Sequence, residues 1–405
     1  MELLFISHKY PPSIGGMQKH SYELATRLKQ YATIHTIIYR EGTSRLGFFL
    51  NLKRNIKKAL REHPHISLIY LNDALMSTLT IWLKKYTHIP IVASFHGLDL
   101  VFPSQIYQQK IVPKFPQLDA IIAVSQATAE ECLRRGIHKD RLYTINNGID
   151  RQLINYPHNR AYLSALEHKT GRNFTDKRLL VAMGRPVRRK GFCWFVKNVL
   201  PQLGEDTLLI IIGPESNAGA LLNRLFACLP TKLRRKIELF FGIGTDGFEL
   251  RQLLSDPRYK KQLLHLGQLP TEDIVQILAI ADLFIVPNIK VEGDFEGFGL
   301  VALEAAICAA PVLAAKVDGL TDAVIDGKNG FLVASQNAGA WVEKIRHLLS
   351  NREFLRAFGQ RAQAFTAMHY DWELMVRQYY QVFQTVVARS NTYEKNIKNA
   401  LKRPI

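Results

Sequence analysis

Two glutamates stand eight positions apart in DFEGFGLVALEAA, residues 294–306: Glu296 beside a pair of glycines, and Glu304 inside an apolar run. The glycines predict a helix starting near Gly297–Gly299, with Glu304 five to seven residues inside it, roughly 8–10 Å along the axis. LVAL before Glu304 and AAICAAPVLAA after it are apolar nearly all round. An unpaired carboxylate there would be costly, so a ligand is the better explanation than an exposed position on a surface helix. A nucleoside diphosphate sugar has a matching layout of sugar hydroxyls, two phosphates and ribose hydroxyls. The amides of Gly297, Phe298, Gly299 and Leu300 at a helix end can hold phosphate, Glu296 can accept from sugar hydroxyls, and Glu304 from the ribose.

Two other turns carry related chemistry. MGRPVRRKGFCWF gathers Arg185, Arg188, Arg189 and Lys190 after a predicted strand and before a helix. Arginine binds phosphate oxygens through a planar fork and lysine adds a compact charge, although a solvated basic loop has the same composition. In SHKYPPSIGGMQKHSYELA, Gly15 and Gly16 free the backbone of Cβ atoms just ahead of a helix, where an anion can meet bare N–H groups. FFGIGTDGFE holds Gly242, Gly244 and Gly247 in GxGxxG spacing. The acidic residue that a dinucleotide fold places about twenty positions further on is missing, which favours a plain strand-to-helix turn.

Strands and helices alternate along the chain to position these turns. LLFIS, IHTIIY, ISLIYL, IPIVASF, AIIAVS and RLYTI read as strands in the first half. RLLVAMG, TLLIIIG, IELFF, QLLHLG, DLFIVP, PVLAA and GFLV follow in the second. The pattern predicts an α/β protein with two Rossmann-like, doubly wound parallel-sheet domains and a cleft between them. The expected boundaries are 1–165, 166–370, and a closing helix with a basic tail over 371–405; the polar stretch 151–177 reads as a link with one short helix.

At 405 residues the chain suits two domains. Apolar content of 47% describes a core-forming protein, with no apolar run of the roughly 18 residues that a membrane span needs and no signal peptide at MELLFIS. A cytoplasmic protein is expected. Cys132, Cys193, Cys228 and Cys308 sit singly, without the spacing of a zinc site or a disulfide framework. The net charge of +18 is spread along the chain. No nucleic-acid-binding motif accompanies it, and nucleotide phosphates and anionic lipid head groups fit it equally well as partners; no nucleic acid is expected. RLGFFLNLKRNIKKALRE, residues 45–62, places Phe49, Leu52, Ile56 and Leu60 on one helical face and five cations largely around the other: Lys53, Arg54, Lys57, Lys58 and Arg61. Such a helix fits an anionic membrane surface or a sheet-covering position equally well.

Taken together, these stretches resemble the retaining, GT-B-fold glycosyltransferases of family 4. Glu296 and Glu304 match that family's E-x7-E motif, and GRPVRRKG matches its GR-x4-KG phosphate loop. PPSIGGMQKH resembles its first glycine loop, and SFHGLD, NNGID, DGLTDAVIDGKNGFLV and YDWELM complete the set. The resemblance runs from Met1 to about residue 388. Two departures stand near the sugar pocket. Ala309 replaces the glycine of C-G-x-P, and Asp318-Gly319-Leu320-Thr321-Asp322 replaces G-G-x-P-E.

The resemblance implies transfer of a hexosyl unit from a UDP- or GDP-sugar to a hydroxyl of a glycan or lipid-linked acceptor, with retention and in lipopolysaccharide or surface polysaccharide synthesis. It implies that Arg185 and Lys190 neutralise the diphosphate, that Gly16 approaches it, and that Glu304 holds the ribose. Glu296 and His96 would contact the sugar; by itself, a lone histidine after a strand is more often a hydrogen-bonded turn residue. No D-x-D motif is present and two cations can replace a metal, so neither metal nor cofactor is expected. A sugar-nucleotide epimerase fits E-x7-E poorly, and a pyridoxal-phosphate phosphorylase needs a longer chain. A catalytically silent sugar-nucleotide binder stays open, as do the base and the sugar.

Overall fold

Short apolar runs bounded by glycine, proline and polar residues become the strands of two parallel sheets. The computed structural model describes residues 1–400 apart from 14, 41, 157–158, 175 and 216–245, and the side chains of these except 160 and 393–400. The chain divides into two units, Met1–Gly148 with Trp372–Ile405, and Ile149–Asp371.

In the first unit, β1 (Glu2–Ser7), β2 (Thr33–Ile38), β3 (Ile66–Leu71), β4 (Ile91–Phe95), β5 (Ala120–Ala123) and β6 (Leu142–Thr144) form one sheet. Their order is β2-β1-β3-β4-β5-β6, with every pair parallel. The strand order reverses between β1 and β3. Helix Arg45–Glu62 starts at Ser44, whose Oγ accepts from the Gly47 N–H. It buries Leu52 and Ile56, with Phe49 and Leu60 packed on the same core. The expected apolar face is therefore occupied by its own unit; the exposed leucines of this helix are Leu46 (69%) and Leu50 (74%).

In the second unit, β7 (Arg178–Met183), β8 (Thr207–Ile212), β9 (Leu263–His265), β10 (Leu283–Val286), β11 (Val312–Lys316) and β12 (Phe331–Ala334) run in the order β12-β11-β10-β7-β8-β9, again all parallel. Central strands such as LFIV are buried along their whole length, as expected for a sheet covered on both faces. The order reverses between β7 and β10, and the crevice beyond the carboxyl ends of two such strands is where open α/β sheets bind ligands.

The observed division differs from the expected boundaries. Ile149 N donates to the Tyr370 carbonyl at 2.7 Å, and Arg151 pairs with Asp371 at 3.0 Å. Asn159 N donates to Gln276 Oε1 at 2.6 Å, and Leu166 enters the second core. These contacts make 151–177 part of the second unit and not a link. The long helix Trp372–Ala400 belongs to the first unit, where Tyr379 and Phe383 pack on Tyr70. The expected strand IELFF, Cys228, Gly242 and Gly244 lie outside the described residues; Gly247 opens the helix Gly247–Ser255. Among the described residues no helix is long and apolar enough to cross a membrane, and Cys132, Cys193 and Cys308 are free thiols.

Candidate active site

The loops after β7 and β10 meet at the reversal point of the second sheet. Gly191 makes the approach possible. It lies at φ +67°, and a Cβ there would stand 2.0 Å from the Pro287 carbonyl oxygen. The Ile289 N–H donates to the Arg189 carbonyl at 2.8 Å, tying the loops together.

A buried ion cluster forms where they touch. Lys190, only 8% exposed, places Nζ 2.6 Å from Glu296 Oε2. Asn288 Nδ2 donates to the same oxygen at 2.9 Å, and Arg189 Nε lies 3.4 Å from it. Arg189 also pairs with Asp294 at 3.2 Å. Burial would raise the Glu296 carboxyl, but Lys190 and Arg189 overcome it and bring it down to about 2. Burial, helped by Arg189, draws the Lys190 ammonium below its ordinary range against the pull of Glu296. Glu296 is thus an anion at neutral pH, held beside cations that an incoming phosphate would also attract.

Arg185 stands exposed at the head of this loop. Gly297 and Phe298 remain in the loop, and Gly299, at φ +101°, is the N-cap of helix Leu300–Ile307. The helix starts later than expected because the left-handed residue and two bonds on the main chain of Glu296 keep the preceding segment out of it. Glu304 is consequently the fifth helical residue, about 6 Å along the axis. It is partly exposed between buried Leu303 and Ala305, which is an amphipathic position and not a stranded core carboxylate.

Gly15, Gly16 and His96 belong to the first unit. Gly15 is the N-cap of helix Gly16–Arg27 and supplies no side-chain cap. His96 follows β4, with Nε2 2.9 Å from the Asn72 carbonyl oxygen. A carbonyl only accepts, so Nε2 carries a proton and donates to it. The His96 N–H donates to Asp99 Oδ1 at 2.9 Å, while Asp99 Oδ2 accepts from Ala74 N at 3.2 Å. Asp99 of the HGLD stretch thus links the turn to Ala74, which opens the helix Ala74–Thr80 after β3. His20 meets His96 edge-on, ring centres 4.9 Å apart, and burial with His96 lowers its imidazole to about 3, so it is neutral. His8 and Asp73 form a buried pair at 3.0 Å at the reversal point of this sheet.

Sequence reasoning left Asn288, Asp294 and His8–Asp73 unassigned, and it treated Arg189 only as a loop charge. A signal existed for two of them: Asn288 ends DLFIVPN, and Asp294 precedes Glu296 by two positions in one turn. The His8–Asp73 pair had none, because the two residues meet only through strand order. Among the described residues no group of three or more His, Cys, Asp or Glu is arranged to hold a metal ion.

Residues 165–365 match the family model of glycosyl transferases group 1, and residues 14–153 match that of glycosyltransferase family 4. The chain belongs to this glycosyltransferase family. An uncharacterized glycosyltransferase of Methanocaldococcus jannaschii is 24% identical, over 93% of this chain and 96% of that protein. Alpha-maltose-1-phosphate synthase of Mycolicibacterium smegmatis is 22% identical, over 96% of this glycosyltransferase and all of the synthase. Among solved structures, Anabaena HepE in complex with UDP-glucose superposes with a TM-score of 0.70 at 20% identity, over 95% of this chain and 100% of HepE. These likenesses agree with the two parallel sheets of a GT-B glycosyltransferase.

Proposed function

We propose that this glycosyltransferase moves a hexosyl unit from a UDP- or GDP-sugar to a hydroxyl of a glycan or lipid-linked acceptor, with retention at the anomeric carbon. The observation that carries the reading is the convergence of Arg189, Lys190 and Glu296 where the loops after β7 and β10 meet. The HepE complexes with UDP and with UDP-glucose support a nucleotide-sugar donor.

In this reading Arg185 and Lys190 face the diphosphate, with Arg189 tying Glu296 and Asp294 behind them. The amides from Gly297 to Leu300 add to phosphate binding, and Glu304 accepts from the ribose. Glu296 accepts from sugar hydroxyls; in the first unit, Gly15, Gly16 and His96 serve the donor. The C1–O bond to the diphosphate breaks as a C1–O bond to the acceptor forms on the same face. The acceptor proton passes to an oxygen of the departing phosphate, so no separate base is required. Charge develops on the leaving group, and cations already held in place stabilise it without reorganisation. The reaction needs neither metal nor cofactor.

Lipopolysaccharide or surface polysaccharide synthesis on the cytoplasmic face of a membrane is the setting that suits a lipid-linked acceptor. The outer row of helix Arg45–Glu62, with exposed Leu46, Leu50, Lys53, Arg54, Lys58 and Arg61, would meet the anionic surface. Failure to sediment with anionic vesicles at low salt would remove this part.

A donor panel tests the whole reading. Release of UDP or GDP is measured with candidate acceptors, with and without chelator, for the natural protein and for Glu296→Ala. Turnover that survives chelator and falls in the variant is expected. Donor binding without release would instead identify a silent sugar-nucleotide binder.

A further inference from the structure

Asp318 follows β11 at a position where family 4 sequences commonly carry glycine. Its φ is +46°, the left-handed region that glycine enters freely and that aspartate tolerates better than most residues. Relaxed backbone geometry would favour glycine, so the carboxylate must contribute something else. One oxygen, Oδ2, accepts from the Glu296 N–H at 3.3 Å. The next residue completes the hold: Gly319 N donates to the Glu296 carbonyl at 2.9 Å. A Cβ at Gly319 would stand 2.1 Å from the Gly297 carbonyl oxygen, so the two strands of backbone are in direct contact. Thr321 Oγ1 closes the turn by donating to the Asp318 carbonyl at 3.1 Å. The main chain of Glu296 is thus clasped on both sides by consecutive residues, while Lys190 and Asn288 hold its carboxylate.

We propose that Asp318 is a positioning residue for Glu296, clasping its peptide so that its carboxylate meets the donor sugar in one orientation. This rests on the reading that Glu296 contacts the sugar. Asp318 acts through Glu296, at the sugar end of the donor, and leaves nucleotide affinity to other residues. Glycine at this site would relax the backbone and lose the clasp.

Three variants separate these effects. Asp318→Gly keeps the left-handed backbone and removes the acceptor. Asp318→Asn keeps both and removes only the charge. Asp318→Gly is also combined with Glu296→Ala. Release of nucleoside diphosphate is followed with UDP-glucose and with GDP-mannose, alongside thermal unfolding and hydrogen exchange of the peptide over residues 294–299.

Asp318→Gly should unfold at the same temperature as the natural protein or higher, and exchange faster over 294–299. Its kcat should fall by about tenfold with KM changed little, since misplacement by an ångström costs up to about 100-fold. Asp318→Asn should retain kcat within about threefold, because an amide oxygen can still accept. In the Glu296→Ala background, Asp318→Gly should change kcat no further.

Unchanged exchange in Asp318→Gly would overturn the clasp whatever the turnover. An equal loss with and without Glu296 would overturn action through that residue. Full activity of Glu296→Ala alone would defeat the reading of Glu296 as a sugar contact, while exchange over 294–299 would still decide the clasp.

Discussion

Lys190 and Glu296 are joined by a 2.6 Å ion pair that links the loop after β7 to the loop after β10. Each loop is anchored on its own strand, so the pair fixes their separation at the point where the sheet order reverses. Both side chains are nearly buried; Arg189 and Asp294 add a neighbouring ion pair, and the Asn288 amide donates to the Glu296 carboxylate.

Removal of one partner should therefore cost more than removal of both. Lys190→Met leaves Glu296 buried beside Arg189 and Asn288 alone, and should lower unfolding free energy by up to about 3–5 kcal/mol. Lys190→Met with Glu296→Gln should recover part of the loss. Urea denaturation of the two single variants and the double variant measures the coupling; strict additivity would contradict it.

Glu304 and Glu296 should separate binding from turnover. Glu304→Ala should weaken UDP or GDP binding, measured calorimetrically, by on the order of 10–100-fold, the range expected when a hydrogen bond to a charged group is lost. Glu296→Ala should leave that affinity within about threefold and slow transfer. Equal, negligible effects of both substitutions would defeat the assignment.

Acid stability should report the same cluster. The Glu296 carboxyl is lowered from 4.5 to about 2 by Lys190 and Arg189 in the face of burial. A group whose pKa is depressed on folding stabilises the native state above its unfolded value and loses that contribution as pH falls through the folded one. The loss belongs between pH 4.5 and about 2, and amounts to about 3 kcal/mol at 1.36 kcal/mol per pH unit. Unfolding free energy measured across this window should fall less steeply in Glu296→Gln than in the natural protein.

Ala309 offers a control for Asp318. It too occupies a position where the family commonly has glycine, and it lies at φ +59° with no side-chain hydrogen bond to offset the cost. Ala309→Gly should stabilise the protein by about 1 kcal/mol, allowing for the greater freedom of an unfolded glycine, and leave turnover unchanged. A lower melting temperature would show that the backbone strain is offset by packing.

The sequence by itself was enough for most of the fold. All six strands of the first sheet were legible, as were the six described strands of the second; the further expected strand IELFF lies outside the described residues. Parallel strands buried on both faces are written as short continuous apolar runs, and glycine, proline and polar residues punctuate them. The family was legible for a similar reason: a basic glycine-bounded loop and two spaced glutamates are local patterns. Glu296 and Glu304 stand out by spacing and patterning, whereas the loop of Arg185 and Lys190 reads equally as a solvated basic turn until the resemblance is drawn.

Tertiary structure decided what those residues touch. Lys190 meets Glu296, and Asp318 takes the Glu296 N–H, because strands distant in sequence are neighbours in the sheet. It also decided which face of helix Arg45–Glu62 is buried, where helix Leu300–Ile307 begins, and to which unit Trp372–Ala400 belongs. Hydrophobic period and turn residues act over a few positions and are written locally. Ion pairs, clasps and unit boundaries depend on strand order and on close backbone approaches such as that at Gly191, and they exist only once the chain has closed on itself.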